Sequence, residues 1–162
     1  MEFMADQLVG GRRFRLLTLA DNDRRVSLVI EVGQSVTGDD VVQVVEQVPS
    51  HRGIPQTIRV EDGPDFILRR VDLWAYFNGV TLDFSRPGKP TENAGIESFN
   101  GRLRDECLNQ HWFVSLDEAR AVTEAWRDDY NRVRPHGALG NRTPSEFARP
   151  VDGHAHLPAL HG

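Results

Sequence analysis

The segment of residues 93–106 carries polar side chains of types that could act on a charged ligand. Four of them, spaced by four, three and four residues, are Asn93, Glu97, Asn100 and Arg104. In a helix this spacing places all four on one face. We predict that Glu97 is an active-site carboxylate, and Glu61 is an earlier acidic residue with thirty-five residues between the two. The pattern alone also fits a solvated face, because charged stripes on helices are usually hydrated.

An apolar stripe on the neighbouring face of this segment predicts how such a helix would be held. Its members recur at three- and four-residue steps and are Ile96, Phe99, Leu103 and Cys107. Cys107 is the sole cysteine, which excludes an intramolecular disulfide and a four-cysteine zinc site. We predict that Cys107 packs in the core. Core or packing roles are also the prediction for the three tryptophans, Trp74, Trp112 and Trp126.

The elements that would position these residues begin with strands. Short segments of strand-forming residues predict three consecutive antiparallel strands, at residues 2–5, 13–19 and 26–32. Glycines 10 and 11 mark the turn between the first two. Two further strands are predicted at residues 57–60 and 80–84.

Helix signals separate and follow the later strands. Thr37 and Asp40 have the form of a capping box before a helical run of valines, and a second helix runs up to Gly79. After the helix that carries Glu97, Ser115 and Glu118 form another capping box. The helix that follows has five residues predicted to face inward, namely Leu116, Ala119, Val122, Trp126 and Tyr130.

Three strands, then helix, strand, helix, strand and two helices is the element order of the RNase H-like fold. We therefore predict an α/β protein with a mixed sheet of about five strands flanked by helices.

Ordered sequence blocks over most of the chain resemble insertion-sequence transposases with a retroviral-integrase-type (DDE, RNase H-like) catalytic core. The first two blocks, residues 85–93 and 96–101, surround the start of the Glu97 helix. Downstream blocks follow in the same order and spacing as in that family, at residues 104–109, 130–131, 134–136 and 143–147. A single block of this kind would be a weak signal, whereas several in order are specific.

The resemblance implies a site in which three carboxylates hold two divalent ions, Mg²⁺ or Mn²⁺. Carried over residue by residue, the ligand positions fall on Glu2, Glu61 and Glu97. The family has aspartate at the first two, so this chain departs from it by one methylene in each side chain, while Mg²⁺ demands near-ideal geometry. Three hypotheses follow: the chain is a polynucleotidyl transferase core, a catalytically inactive remnant that binds DNA or multimerises, or a relic without a molecular role.

The resemblance also implies partners. Lys89, Asn93, Asn100 and Arg104 border the implied site and are expected to contact DNA, both at the element ends and at the target. Family members usually carry a helix-turn-helix region before the core, so we expect a separate end-recognition domain or protein. We also expect a homo-oligomer. The predicted first strand starts one residue after the beginning of the chain, which suggests an N-terminally truncated core.

Length and charge bound the remaining possibilities. The 162 residues fit one domain, which we place at residues 1–148, followed by a flexible tail at 149–162. The net charge of -5 is the reverse of a basic nucleic-acid footprint and predicts weak DNA binding by this chain alone. Without a run of eighteen apolar residues or a signal peptide, we expect no membrane partner and a cytoplasmic, nucleoid-associated protein.

Overall fold

A computed structural model describes residues 1–21, 26–48, 56–60, 63–84, 94–132 and 143, with the main chain alone for residues 94–97. Its first three strands are β1 (Glu2–Gln7), β2 (Arg13–Ala20) and β3 (Ser27–Gly33). They form an antiparallel sheet in the order β1-β2-β3. In the register of β1 and β2, Glu2 lies opposite Thr18. The three predicted strands are confirmed, and each extends one or two residues beyond its predicted end.

Two parallel strands form a second, smaller sheet. They are β4 (Thr57–Val60) and β5 (Thr81–Phe84). The helix α2 (Asp65–Asn78) connects them and ends at Gly79, whose φ of 68° is the left-handed conformation that glycine adopts at low cost. The main-chain nitrogen of Met1 donates to the carbonyl oxygen of Arg59 at 2.9 Å, which joins the start of β1 to β4. The five strands thus form a three-stranded antiparallel sheet and a two-stranded parallel sheet side by side, which is the predicted number of strands and the predicted mixture of directions.

One face of the sheet is covered by α2 and by α1 (Gly38–Gln47). The capping box that begins α1 is confirmed, because Thr37 Oγ1 accepts from the Asp40 main chain and the Asp40 carboxylate accepts from the Thr37 main chain. Gly38 lets the two helices approach, since a Cβ at this position would lie 2.5 Å from the Cβ of Arg70. Apolar side chains of β4 and of the odd-numbered positions Leu17 and Leu19 of β2 fill this core.

The other face is covered by α3 (Ala94–Glu106), a short 3-10 helix (Leu108–Gln110) and α4 (Leu116–Arg132). The even-numbered positions Phe14 and Leu16 of β2 point to this side. Successive residues of a strand face opposite sides, so β2 contributes to both cores. The three layers, helices on both faces of a central layer of strands, are the predicted RNase H-like architecture.

Several predicted core residues of α3 and α4 are buried in this second layer. They are Phe99, Leu103, Cys107, Ala119 and Tyr130. The prediction for Trp112 is wrong, because its side chain is 83% exposed in the segment before α4. Trp126 is half-buried and packs against the rings of Phe99 and Tyr130, which also contact each other. The second capping box differs in detail, because the Glu118 carboxylate accepts from Val114 at 3.0 Å.

Candidate active site

A hydrogen-bonded chain of three polar side chains links the first two strands to α3. Asn100 Nδ2 donates to Glu2 Oε2 at 2.5 Å, and Asn100 Oδ1 accepts from Thr18 Oγ1 at 2.9 Å. Thr18 is fully buried, and only 5% of Asn100 is exposed. Buried polar groups are stable when paired in this way, so the amide fixes the half-buried carboxylate of Glu2 in one orientation.

The local sequence explains why these groups meet. Glu2 and Thr18 are opposite each other on adjacent strands, and opposite residues in a sheet project from the same face. That face is the one covered by α3, whose apolar residues Phe99 and Leu103 pack into the core on that side. Asn100 follows Phe99 directly and reaches the edge of the packed stripe, where Glu2 lies.

Arg104, one turn after Asn100, makes a second connection between α3 and β1. Its guanidinium Nη2 donates to the carbonyl oxygen of Ala5 at 3.0 Å. The helix is thus held along β1 at two points. Both Asn100 and Arg104 bond to protein groups here, and the burial of Asn100 favours a positioning role for it.

The structure describes some of the predicted site residues and not others. Glu2 and Asn100 are brought into contact, and the main chain of Glu97 lies in the first turn of α3. The side chain of Glu97 is outside the described part of the protein, as are Glu61, Lys89 and Asn93. The expected tail, residues 149–162, is also outside the described residues.

The residues on both sides of position 61 are held close to the start of β1. Arg59 accepts the hydrogen bond from Met1 through its carbonyl oxygen at 2.9 Å. At Gly63, an added Cβ would lie 2.8 Å from Cε2 of Phe3, so a larger residue would clash with that ring. Arg59 and Gly63 therefore both lie near the part of β1 that carries Glu2.

Two residues that support the site were not identified from the sequence. Thr18 gives no local signal, because only the strand register places its hydroxyl opposite Glu2. Asn131 holds α4 on β3, since its amide donates to and accepts from the Ser27 main chain, each at 2.8 Å. Arg127 adds a bond to the same Ser27 carbonyl at 2.8 Å. The sequence signal for Asn131 is its membership in the family-like block at residues 130–131.

The one cysteine, Cys107, directly follows the last residue of α3 and is unreactive. Burial, and secondarily the carboxylate of Asp6, raises the pKa of the Cys107 thiol to about 11. A thiol with so high a pKa stays protonated near neutral pH, and the protonated form is a poor nucleophile and metal ligand. The predicted core role of Cys107 is confirmed by its 1% exposure.

Within the described residues, no three His, Cys, Asp or Glu side chains are grouped closely enough to hold a metal ion. Two of the three predicted ligands, Glu61 and Glu97, have side chains outside that part. None of the described helices has the length and apolar character needed to cross a membrane.

The fold is that of integrase catalytic cores. The catalytic core domain of HTLV-2 integrase, solved in complex with magnesium in a trimeric form, superposes with a TM-score of 0.65. The match covers 90% of this chain and 94% of that one at 14% sequence identity. At this identity the likeness establishes the fold, and the RNase H-like prediction is confirmed.

Sequence comparisons add the family. Residues 78–144 match the family model of the integrase core domain. The 31.7 kDa protein of insertion element IS407 from Burkholderia multivorans is 47% identical over 98% of this chain and 57% of its own length. The 39.2 kDa protein of insertion element IS476 from Xanthomonas euvesicatoria is 43% identical over 91% of this chain and 43% of its own.

This chain therefore carries the transposase/integrase core domain of insertion elements. It spans about half the length of the curated relatives that it matches.

Proposed function

We propose that this chain is the catalytic core of a transposase that cuts and joins DNA by metal-dependent strand transfer. The observation that carries the proposal is the contact between Asn100 and Glu2. It ties the strand with the first expected ligand to the helix with the third, because Glu97 precedes Asn100 by three residues. Residues three apart on a helix are neighbours on its surface, with Cβ atoms roughly 5–6 Å apart.

The position of the second expected ligand is supported by chain connectivity. Glu61 is two residues from Arg59 and from Gly63, which both approach β1, and two residues span at most about 7 Å. The side chains of Ile58 and Val60 face the core under α1 and α2. If the alternation continues, Glu61 projects to the opposite face, on which Glu2 meets α3.

The chemistry of these residues suits a hard divalent cation. Carboxylates are preferred ligands of Mg²⁺, and Mn²⁺ accepts the same oxygen donors. An amide donor occupies one of the roughly four lone-pair positions of a carboxylate, so the Asn100 contact is compatible with metal binding by Glu2. In a two-metal site such ions stabilise the attacking and leaving oxygens of a phosphodiester during in-line displacement. We propose two ions, held by Glu2, Glu61 and Glu97.

The remaining residues of the proposed site would position DNA. Lys89, Asn93 and Arg104 would contact the phosphate backbone at the element ends or the target, and Asn100 would orient Glu2. The net charge of -5 gives little general attraction to DNA, so specific binding would depend on a separate helix-turn-helix partner and on homo-oligomerisation. We propose that residues 1–148 form the core and 149–162 a tail, in a cytoplasmic, nucleoid-associated protein.

A second candidate is a catalytically inactive core that still binds DNA or multimerises. Glutamate at positions 2 and 61 favours it, because each side chain is one methylene longer than the family's aspartate. A displacement of about 1 Å in a catalytic arrangement can lower the rate on the order of a hundredfold. The fold, the Asn100 contact and the DNA-binding face would be retained in such a protein.

A strand-transfer assay separates the two candidates. The chain would be mixed with an end-recognition domain, Mg²⁺ or Mn²⁺, and duplex DNA carrying the ends of its own element, and joined products would be resolved on a gel. Joining by the wild type that is lost in Glu97→Gln supports an active core. Joining that appears only in the double variant Glu2→Asp, Glu61→Asp supports the inactive one. A folded double variant that neither joins DNA nor binds Mn²⁺ in calorimetry would refute the assignment of the metal site to these three positions.

A further inference from the structure

The outer face of α2 exposes an apolar surface that the proposed site does not use. Its members, here called the α2 stripe, are Phe66, Leu73, Tyr76 and Phe77, which are between 54% and 80% exposed. On the opposite side of the helix, Ile67, Val71 and Trp74 are buried in the core. The stripe is therefore additional to the apolar face that the fold requires.

The α2 stripe is large for a surface helix. Large apolar and aromatic side chains at these exposures present roughly 500 Å² in total. Contiguous apolar patches on soluble monomers rarely exceed a few hundred Å², and larger ones usually mark interaction sites. The rings of Tyr76 and Phe77 are ordered against each other, edge to face with centroids 5.5 Å apart. The surface is thus pre-arranged for a partner.

Charges beside the stripe indicate what the partner is. Arg69 lies on the same face of the helix as the stripe and Asp72 lies on one flank of it. Both are exposed, and within the described part of the chain neither forms an ion pair. The adjacent Arg70, by contrast, is paired with Asp39 at 2.7 Å. An open cation and an open anion one turn apart suit a partner that presents the same two charges in reverse order.

A second copy of α2 in antiparallel orientation presents that order. A twofold axis across the middle of the helix brings Phe66 opposite Phe77 of the second copy. Nearly the same axis brings Arg69 opposite Asp72, because the midpoints of the two pairs differ by one residue, or about 1.5 Å along the helix. The apolar side chains are then covered and the charged groups are paired in the same arrangement. The interface is self-complementary, as twofold symmetry requires.

We propose that the α2 stripe is a homodimer interface, formed by antiparallel packing of α2 on α2 with reciprocal Arg69–Asp72 pairs. The inference does not depend on catalysis, since α2 covers the sheet face opposite to α3. The area is at the low end for specific interfaces, so the dimer is expected to dissociate in the micromolar range.

Charge reversal tests the pairing. Arg69→Asp and Asp72→Arg each place like charges across the twofold axis, and each should weaken dimerisation about tenfold or more in sedimentation equilibrium. The double variant Arg69→Asp, Asp72→Arg restores opposite charges across the axis and should recover most of the wild-type dimer. Arg12→Asp, an exposed charge change in the β1–β2 turn, serves as the matched control, and circular dichroism verifies folding of every variant.

Three results would overturn the proposal. The first is a wild type that stays monomeric at a protein concentration of several hundred micromolar, which would leave the stripe to another segment of a longer protein or to a different partner. The second is a dimer that neither single reversal weakens, since that dimer would use another face. The third is a double variant no better than the singles, because Arg69 and Asp72 would then not face each other.

Discussion

Replacing Asn100 tests whether its amide holds the Glu2 carboxylate in place. In Asn100→Ala, the buried hydroxyl of Thr18 loses its shorter hydrogen bond and keeps the Glu2 carbonyl oxygen at 3.4 Å as an acceptor, while the Glu2 carboxylate loses a hydrogen bond. A hydrogen bond to a charged group contributes about 1.5–3 kcal/mol, and a hydrogen bond between neutral groups contributes about 0.5–1.5 kcal/mol. Because Glu2 is half-buried and water can replace part of its bond, we expect the free energy of unfolding to fall by about 2–4 kcal/mol.

Asn100→Asp removes the amide hydrogen-bond donor and keeps the size of the side chain nearly unchanged. The new carboxylate still accepts from Thr18 but can no longer donate to Glu2, and two like charges then lie in contact. We expect a loss of about 2–4 kcal/mol at pH 7.5, relative to wild type. The difference should shrink at pH 4.5, because protonation of either carboxyl removes the repulsion and restores a donor.

Urea unfolding followed by tryptophan fluorescence at the two pH values measures both effects. Asn109→Ala, at an exposed asparagine of the 3-10 helix, is the matched control and should change stability by no more than about 0.5 kcal/mol. A double-mutant cycle with Thr18→Val should give a coupling energy above about 0.5 kcal/mol. The reasoning is refuted if both Asn100 variants match the control, or if the deficit of Asn100→Asp is independent of pH.

Three further predictions concern the surrounding framework. Asn131→Ala should lower the free energy of unfolding by about 2–3 kcal/mol and speed amide exchange at Ser27, because both 2.8 Å bonds to that main chain are lost. The pKa of Cys107 is raised from 9.0 to about 11, so the folded state binds the thiol proton more tightly than the unfolded state does. The free energy of unfolding should therefore fall as pH rises from about 9 to 11. A Cys107→Ala protein should lack this part of the pH dependence. Gly63→Ala should lower the free energy of unfolding by about 1–3 kcal/mol in urea melts, because the new Cβ would clash with the ring of Phe3. Gly101→Ala should stabilise α3 by about 0.5–1 kcal/mol, because an added Cβ there meets nothing within 4 Å. Equal effects of the two substitutions would contradict the packing at Gly63.

Local signals in the sequence predict the bounds of most helices and strands closely. The strand at residues 57–60 has the predicted bounds, and the helix before Gly79 ends where its left-handed conformation requires. The capping box at Thr37 starts α1 as expected. Each of these features depends on residues within one or two turns of each other, so neighbouring sequence is sufficient to predict them.

The failure at Trp112 shows where such reasoning stops. The residue lies between two helices, where no periodicity indicates which side chains point inward, and an aromatic side chain was predicted to pack because of its type alone. In the structure the neighbouring Phe113 fills the core instead, edge to face with Phe14 at 6.0 Å. The burial of either ring depends on the direction of a short connecting segment.

By itself the sequence determined the fold class, the integrase-type family and the helix that bears Glu97, because ordered motifs and hydrophobic periodicity are local properties of the chain. The tertiary structure decided the contacts of Thr18, Asn100 and Arg104. Asn100 bonds to a residue 98 positions away and to another 82 positions away. Such contacts require both the register of β1 on β2 and the packing of α3 on the sheet. Those arrangements are set jointly by the apolar cores on the two faces, so no single segment encodes them.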